Sequence, residues 1–253
     1  MIMAETPITQ PQAPLPPLSE RRQRKAAPST TVTLARLSSL TGILFATLFV
    51  LALVLVYTTP HLSASDADIT TFYASGSTVL VTVGQVLIPL AGIAFLWHAH
   101  TTRLLIESRT PAPSAIPYGL QLVSGVLFVV LIFAGTGSAG SVALLKDLTD
   151  APLPSADVVR GLLALGYAMV FIYSIRGAGM YALTTTTLLR QAGIMPTWLA
   201  ILSYLLALFL LVSTTLHPVV VLLFPTWVVI AGLVVFIRAG RVAKPAVSER
   251  QSA

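Results

Sequence analysis

A single arginine inside a long apolar segment is the residue of this sequence that could bind a charged ligand. Arg176 lies two-thirds of the way along the segment from Gly161 to Leu183, which contains no other charged residue. A charge at that depth costs about 3 kcal/mol to insert into a bilayer, so a polar environment normally surrounds it. The position predicts a site for an anionic ligand or a lipid headgroup. The alternative is an arginine satisfied by carbonyls, hydroxyls and water.

Other polar residues are expected near the depth of Arg176. The residues that share its helical face, at three- and four-residue steps, are Met169, Tyr173, Met180 and Thr187. This stripe is predicted to face the interior of a helix bundle. Counting about 1.5 Å per residue from the inner end of each segment places three more at similar depth, namely Ser124, Ser203 and Tyr204. The candidate ligand-binding residues are therefore Arg176, Tyr173, Tyr204 and Ser124.

Motifs for other kinds of chemistry are better explained by packing. Residues 135–140 match GxGxxG but lie inside an apolar segment, whereas a dinucleotide site requires a strand before the motif and a helix after it. Gly137 and Ser141, four residues apart, instead predict a face where two helices approach closely. No carboxylate lies within an apolar segment. A catalytic triad needs a serine, a histidine and a carboxylate at the same depth in the membrane, and no such combination occurs. The sequence therefore predicts no catalytic residue, no cofactor and no enzymatic activity.

The histidines do not suggest a metal site. His98 and His100 are two residues apart and point to different sides of a helix, and the nearest carboxylate is Glu107. Both histidines follow Trp97, and an aromatic residue followed by basic ones is typical of a membrane interface. They are therefore predicted to be interfacial residues, not metal ligands.

The composition predicts an all-α polytopic membrane protein. Hydrophobic residues make up 55% of the chain and charged residues 9%, against about 25% charged residues in soluble proteins. Six transmembrane helices are predicted, over residues 40–56, 78–97, 119–145, 161–183, 198–216 and 219–237. Gly193 and Pro196 are expected to end the fourth helix. Cysteine is absent, which excludes disulfides and thiolate catalysis.

The charge distribution predicts the orientation. Twelve of the 15 lysines and arginines fall on the side of the two termini, whereas Lys146 and Arg160 fall on the other side. Basic residues are enriched in cytoplasmic loops, so both termini are predicted to be cytoplasmic. The arginine-rich composition suggests a bacterial plasma membrane. The net charge of +6 then reflects orientation, and no nucleic-acid partner is expected.

The segments outside the spans have distinct compositions. Residues 1–34 contain six prolines and a basic cluster and are predicted to form a disordered cytoplasmic tail, as are residues 240–253. Residues 35–239 form the membrane domain. In the loop after the first span, Ser65 and Asp68 have the spacing of a helix capping box. Ile69, Phe72 and Tyr73 follow as one apolar face, which predicts a short interfacial helix.

Three stretches resemble a group of uncharacterised six-span bacterial membrane proteins, common in actinobacteria and of unknown function. These stretches are Ser65–Ile69 with Phe72–Ala74, the turn Arg190–Trp198, and Phe224–Trp227. The resemblance covers roughly residues 36–238 and implies a six-span membrane bundle, without an activity.

The functional hypothesis is a non-enzymatic binding or accessory component of the membrane. Its expected partners are membrane lipids and another membrane protein. The alternative is a small-solute or lipid transporter that uses a polar cavity around Arg176, which Gln85 and Gln121 could help to line.

Overall fold

A computed structural model describes residues 28–56, 58–75, 78–213 and 217–242, and every regular element in these ranges is a helix. The α-helices are α1 (Pro28–Val56), α2 (Asp66–Ala74), α3 (Val79–Arg109), α4 (Ala115–Leu148), α5 (Ala156–Tyr167), α6 (Ile175–Gln191), α7 (Thr197–Val212) and α8 (Pro218–Val242). A π-helical segment, Ala168–Ser174, joins α5 to α6. The prediction of an all-α fold is confirmed.

Five helices are long and apolar enough to cross a membrane: Thr30–Val56, Val79–Arg109, Ala115–Leu148, Ala156–Gln191 and Val219–Ala239. The remaining apolar helix, α7, has 16 residues and is therefore about 24 Å long, shorter than the hydrocarbon core of about 30 Å. The predicted fifth span extended to residue 216, whereas α7 ends at Val212, and residues 214–216 lie outside the described ranges. The fold is consistent with a polytopic membrane bundle.

The two ends of the bundle carry opposite charges. The basic end has Arg109, Arg190 and Arg238 at the ends of α3, α6 and α8. The acidic end carries Asp66, Asp68, Asp147, Asp150 and Asp157, together with Lys146 and Arg160. These names are used below for the two ends, without reference to a side of the membrane.

Helix α7 runs between the two ends in spite of its length. It begins at the basic end, where Arg190 donates a hydrogen bond to Thr197 (2.9 Å). Helix α8 is antiparallel to α1, since Gly232 lies beside Ser39 whereas Val228 lies beside Gly42. Helix α8 therefore begins at the acidic end, and α7 connects the basic end to it.

The predicted short helix is confirmed as α2, with its capping box. The Asp68 amide donates to the Ser65 hydroxyl (3.1 Å), and the Ser65 amide donates to the Asp68 carboxylate (3.3 Å). Ile69 and Tyr73 are buried, as the pattern predicted. Burial also raises the pKa of the Tyr73 phenol. Arg160 holds the helix in place, because it donates to the Ala64 carbonyl (2.8 Å) and pairs with Asp66.

Phenylalanines from four helices form the centre of the core. Phe45 of α1, Phe95 of α3, Phe128 of α4 and Phe224 of α8 contact one another, with ring centroids 4.9 to 6.2 Å apart. Edge-on and tilted contacts of this kind contribute about 1 kcal/mol each beyond the area they bury. The cluster therefore fixes how these four helices pack together.

The predicted packing face at Gly137 is wrong. A Cβ atom added to Gly137 would meet no atom within 4 Å. The close contact instead involves Gly135, whose carbonyl oxygen would lie 2.7 Å from a Cβ added to Gly166 of α5. Ala139 belongs to the same contact, since its own Cβ would lie 2.9 Å from that added atom. Helices α4 and α5 do approach closely through small residues, but the contact lies on a different face of α4 from the one predicted.

Helix α1 begins at Pro28, so residues 28–34, which were assigned to the disordered tail, are helical. Helix α8 likewise continues to Val242, beyond the predicted boundary at residue 239. In both cases the helix runs past the apolar segment that the prediction relied on, because backbone hydrogen bonding does not stop where hydrophobicity does. The remainder of both predicted tails, residues 1–27 and 243–253, lies outside the described ranges.

Candidate functional site

Arg176 belongs to a continuous helix of 36 residues, Ala156–Gln191, and follows directly on its π-helical segment. Its guanidinium donates a hydrogen bond to the carbonyl oxygen of Ile172, one turn earlier. Side chains of a helix lean toward its N-terminus, which explains this partner. The guanidinium thus points along the helix toward the acidic end.

The helical face that carries Arg176 lies on the outside of the bundle. Tyr173 is 55% exposed, and Arg176, Met180 and Thr187 are half-buried. The fully buried residues of α6 lie on its other faces and include Ala178, Tyr181, Ala182 and Thr185. The prediction that the stripe faces the bundle interior is therefore wrong. Tyr173, Arg176, Met180 and Thr187 are called the arginine face below.

Two neighbouring helices flank the arginine face. A Cβ atom added to Gly177 would lie 3.1 to 3.2 Å from backbone atoms of Phe128 and Ser124 in α4. One added to Gly179 would lie 3.0 Å from the carbonyl oxygen of Ala207 in α7. Residues are spaced by about 100° around a helix, so Arg176 falls between these two contacts on the outer side. The arginine face is therefore the outward surface of α6 between α4 and α7.

The four predicted ligand-binding residues are not joined to one another. Among the described residues, no hydrogen bond links any two of Arg176, Tyr173, Tyr204 and Ser124. Tyr204, which is 36% exposed, bonds through its hydroxyl to Thr187 (3.1 Å), about 16 Å along the helix from Arg176. The buried Ser124 hydroxyl donates to the carbonyl oxygens of Leu120 (2.6 Å) and Gln121 (3.1 Å). Their role in binding a ligand stays a prediction.

A second group of polar side chains is buried inside the bundle. His98 of α3 is 5% exposed, and its Nδ1 lies 2.8 Å from the carbonyl oxygen of Ser38 in α1. A carbonyl oxygen only accepts, so Nδ1 carries the proton and neutral His98 keeps Nε2 as an acceptor. The Ser38 hydroxyl in turn bonds to that of Thr102 (2.7 Å). His98, predicted to be an interfacial residue, is buried between α1 and α3, whereas His100 is exposed.

The same buried layer continues across the other helices. Gln121 of α4 donates to the Thr185 hydroxyl of α6 (2.9 Å), and Trp227 of α8 donates to the Ser203 hydroxyl of α7 (2.8 Å). The Tyr181 hydroxyl and the side-chain oxygen of Gln121 are buried without a hydrogen-bond partner. These eight residues are called the polar core: Ser38, His98, Thr102, Gln121, Tyr181, Thr185, Ser203 and Trp227.

The polar core surrounds a cavity of about 10 Å³, which Ser38, His98, Thr102, Thr185 and Trp227 help to line. This volume is close to the minimum that holds one water molecule and is far too small for an organic substrate. The polar core contains no carboxylate. Across the part of the chain that the structure describes, no three His, Asp or Glu side chains are grouped to hold a metal ion. The chemistry available here is hydrogen bonding between helices.

Removing the Tyr181 hydroxyl is expected to stabilise the protein. A buried hydroxyl without a partner costs about 1 to 3 kcal/mol, so Tyr181→Phe should raise the free energy of unfolding in mixed micelles by about 1 kcal/mol. Tyr173→Phe, at an exposed position, is the control and should change it by less than about 0.5 kcal/mol. A loss of stability in Tyr181→Phe would contradict this expectation and show that the hydroxyl bonds to Thr102, to Thr185 or to a water molecule.

Comparison with protein-family models, with curated proteins and with solved structures finds no match to this chain.

Proposed function

We propose that this protein is a non-enzymatic accessory component of a bacterial plasma membrane and that it binds another membrane protein through the arginine face. The observation that carries the proposal is the outward position of Arg176 near the middle of a long apolar helix. Charged residues in membrane helices normally face the bundle interior or a partner. An arginine on the outside is thus best explained by a partner that covers it.

The transport hypothesis depended on a polar cavity around Arg176. The small cavity of the polar core has no lining residue from the arginine face, since Arg176 and Thr185 occupy different faces of the helix. The position of Arg176 therefore supports binding at the outer surface more than passage of a solute through the bundle.

The proposal includes six crossings with both termini in the cytoplasm. The path of α7 from the basic end to the acidic end supports the sixth crossing, although α7 is about 6 Å shorter than the hydrocarbon core. Short spans are accommodated by local thinning of the bilayer. The basic end is assigned to the cytoplasm because most lysines and arginines lie on that side. The resemblance to uncharacterised six-span bacterial proteins agrees with this arrangement. Membership of that group stays a prediction.

Site-specific cross-linking in cells tests the accessory role. A photoreactive amino acid at Tyr173, the most exposed residue of the arginine face, is expected to form an adduct with a membrane protein. Arg176→Leu should lower the yield of that adduct about tenfold, since an interhelical polar contact is worth about 1 to 2 kcal/mol in a membrane. The measurement is the adduct yield by immunoblot, with the partner identified by mass spectrometry.

The matched control carries the same photoreactive group at Val126, an exposed residue of α4. Adducts at Val126 should be insensitive to Arg176→Leu. The proposal is wrong if Tyr173 yields only lipid adducts, or if its protein adducts persist unchanged in Arg176→Leu.

A further inference from the structure

We infer that the arginine face docks a transmembrane helix of a different protein and that an Asp or Glu near the middle of that helix pairs with Arg176. This inference rests on the proposed function and adds the chemistry of the partner to it.

Arg176 lies deep within the hydrocarbon region. It is about 22 Å from the Gln191 end of its helix and about 30 Å from the Ala156 end, at 1.5 Å per residue. A hydrocarbon core of about 30 Å centred on this helix places Arg176 within about 4 Å of its middle. Water is scarce at that level, so the charge requires a partner that the membrane itself does not provide.

Among its described residues, the protein supplies few of the hydrogen-bond acceptors, and none of the negative charge, that the Arg176 guanidinium needs. An arginine has five N–H donors, and the structure gives Arg176 one acceptor, the carbonyl oxygen of Ile172. Both ion pairs found among the described residues involve Arg160 at the acidic end, so no described carboxylate neutralises Arg176. The remaining donors and the positive charge are available to whatever covers the arginine face.

A lipid phosphate is poorly placed to be that occupant. Phosphates lie at the edge of the hydrocarbon core, about 15 Å from its middle. The side chain of Arg176 leans toward Ile172, that is, toward the more distant end of its helix. It therefore does not reach for the nearer interface, as a snorkelling arginine would.

A second copy of this chain is also excluded by charge. The chain has nine Asp and Glu residues, and none of them lies near the middle of an apolar segment. Glu107, Asp147 and Asp157, the three within long helices, are each within two residues of a helix end. A copy docked against the arginine face could not bring a carboxylate to the level of Arg176. The counter-charge must come from another protein.

The arginine face suits a helix as its occupant. Helix α4 approaches α6 closely at Gly177 and α7 does so at Gly179, so the two helices flank this face. Tyr173 and Met180 lie beside Arg176 on the same face, and a methionine adapts readily to the shape of a partner. Toward the basic end, the Thr187 and Tyr204 hydroxyls offer further polar contacts. An arginine and a carboxylate on facing helices would offset each other's cost in hydrocarbon.

Designed peptides in vesicles test the inference. The full-length protein is labelled with a fluorophore through Asp150→Cys, which is unique because the native chain has no cysteine. It is reconstituted in phosphatidylcholine vesicles with a labelled polyleucine helix that carries Glu, Gln or Leu at its centre. Energy transfer should report association of the Glu peptide about tenfold tighter than of the Gln peptide, and Arg176→Gln should abolish that preference. Arg176→Lys should keep part of it.

Leu205→Gln is the matched control, because it places the same polar group on the exposed side of α7 and should leave the preference unchanged. Equal association of the three peptides, or a Glu preference that survives in Arg176→Gln, would overturn the inference. So would loss of the preference when anionic phosphatidylglycerol is added, since a lipid would then be the occupant. If the cross-link at Tyr173 depends on Arg176 while the Glu peptide has no advantage, the accessory role stands and the carboxylate partner is wrong.

Discussion

Gly166→Ala is expected to lower the free energy of unfolding by about 2 kcal/mol, although alanine is the better helix former. The added Cβ would lie 2.7 Å from the carbonyl oxygen of Gly135 and 2.9 Å from the Cβ of Ala139. Both distances are shorter than a van der Waals contact, and the first involves a backbone atom that cannot rotate away. Helices α4 and α5 would have to separate, which would loosen the packing along the whole contact.

The matched control is Gly137→Ala, two residues from the contact and on the same helix as Gly135. Nothing lies within 4 Å of its added Cβ, so helix propensity alone should stabilise this variant, by up to about 1 kcal/mol. Unfolding in mixed micelles with increasing denaturing detergent measures both variants. Opposite signs are expected for the two substitutions, and equal effects would contradict the packing described for Gly166.

The features that depend on a few neighbouring residues were predicted well from the sequence. The capping box of Ser65 and Asp68 starts α2 as expected, because both partners lie within one turn. Gly193 ends α6 with a φ of 70°, a backbone conformation that favours glycine. The apolar segments likewise predicted the all-helical fold, since in a membrane each segment must satisfy its own backbone hydrogen bonds.

The direction that each helix faces was harder to predict. In a water-soluble protein the apolar side of a helix faces inward, but lipid is as apolar as a core, so hydrophobicity does not distinguish the two sides. Arg176 is therefore predicted in the bundle interior although it lies on the outer face of α6, and the burial of His98 between α1 and α3 is not predicted. The same ambiguity put the close contact at Gly137, although Gly135 is the residue that faces α5.

The π-helical segment was not predicted either, although Tyr173, Met180 and Thr187 share the face of Arg176 as their spacing indicated. The stripe of Met169, Tyr173, Met180 and Thr187 was derived from three- and four-residue steps, which hold for an α-helix. Hydrogen bonds in a π-helix span five residues, so faces before and after Ala168–Ser174 do not continue one another. Residue spacing alone does not predict such a segment. Polar residues that recur at the same depth, such as Ser38 and Thr102, are the pattern that could have indicated the polar core.

His98→Ala is expected to have the largest effect within the polar core, lowering the free energy of unfolding by about 3 kcal/mol. The substitution removes a buried ring, which leaves a cavity, and it removes the hydrogen bond to the Ser38 carbonyl. Gly42 lies directly against this ring, since a Cβ added there would be 3.0 Å from Nδ1, so α1 and α3 pack through it. The same unfolding measurement in mixed micelles checks the value.

Two variants separate the hydrogen bond from the packing. His98→Asn keeps a donor near the position of Nδ1 and should recover about 1 kcal/mol relative to His98→Ala, the usual net value of one hydrogen bond. His100→Ala, at an exposed position two residues away, should change stability by less than about 0.5 kcal/mol. If His98→Ala were as harmless as His100→Ala, the contact between α1 and α3 would not depend on this histidine. The polar core would then have to be stabilised by Ser38, Thr102 and the helices on its far side.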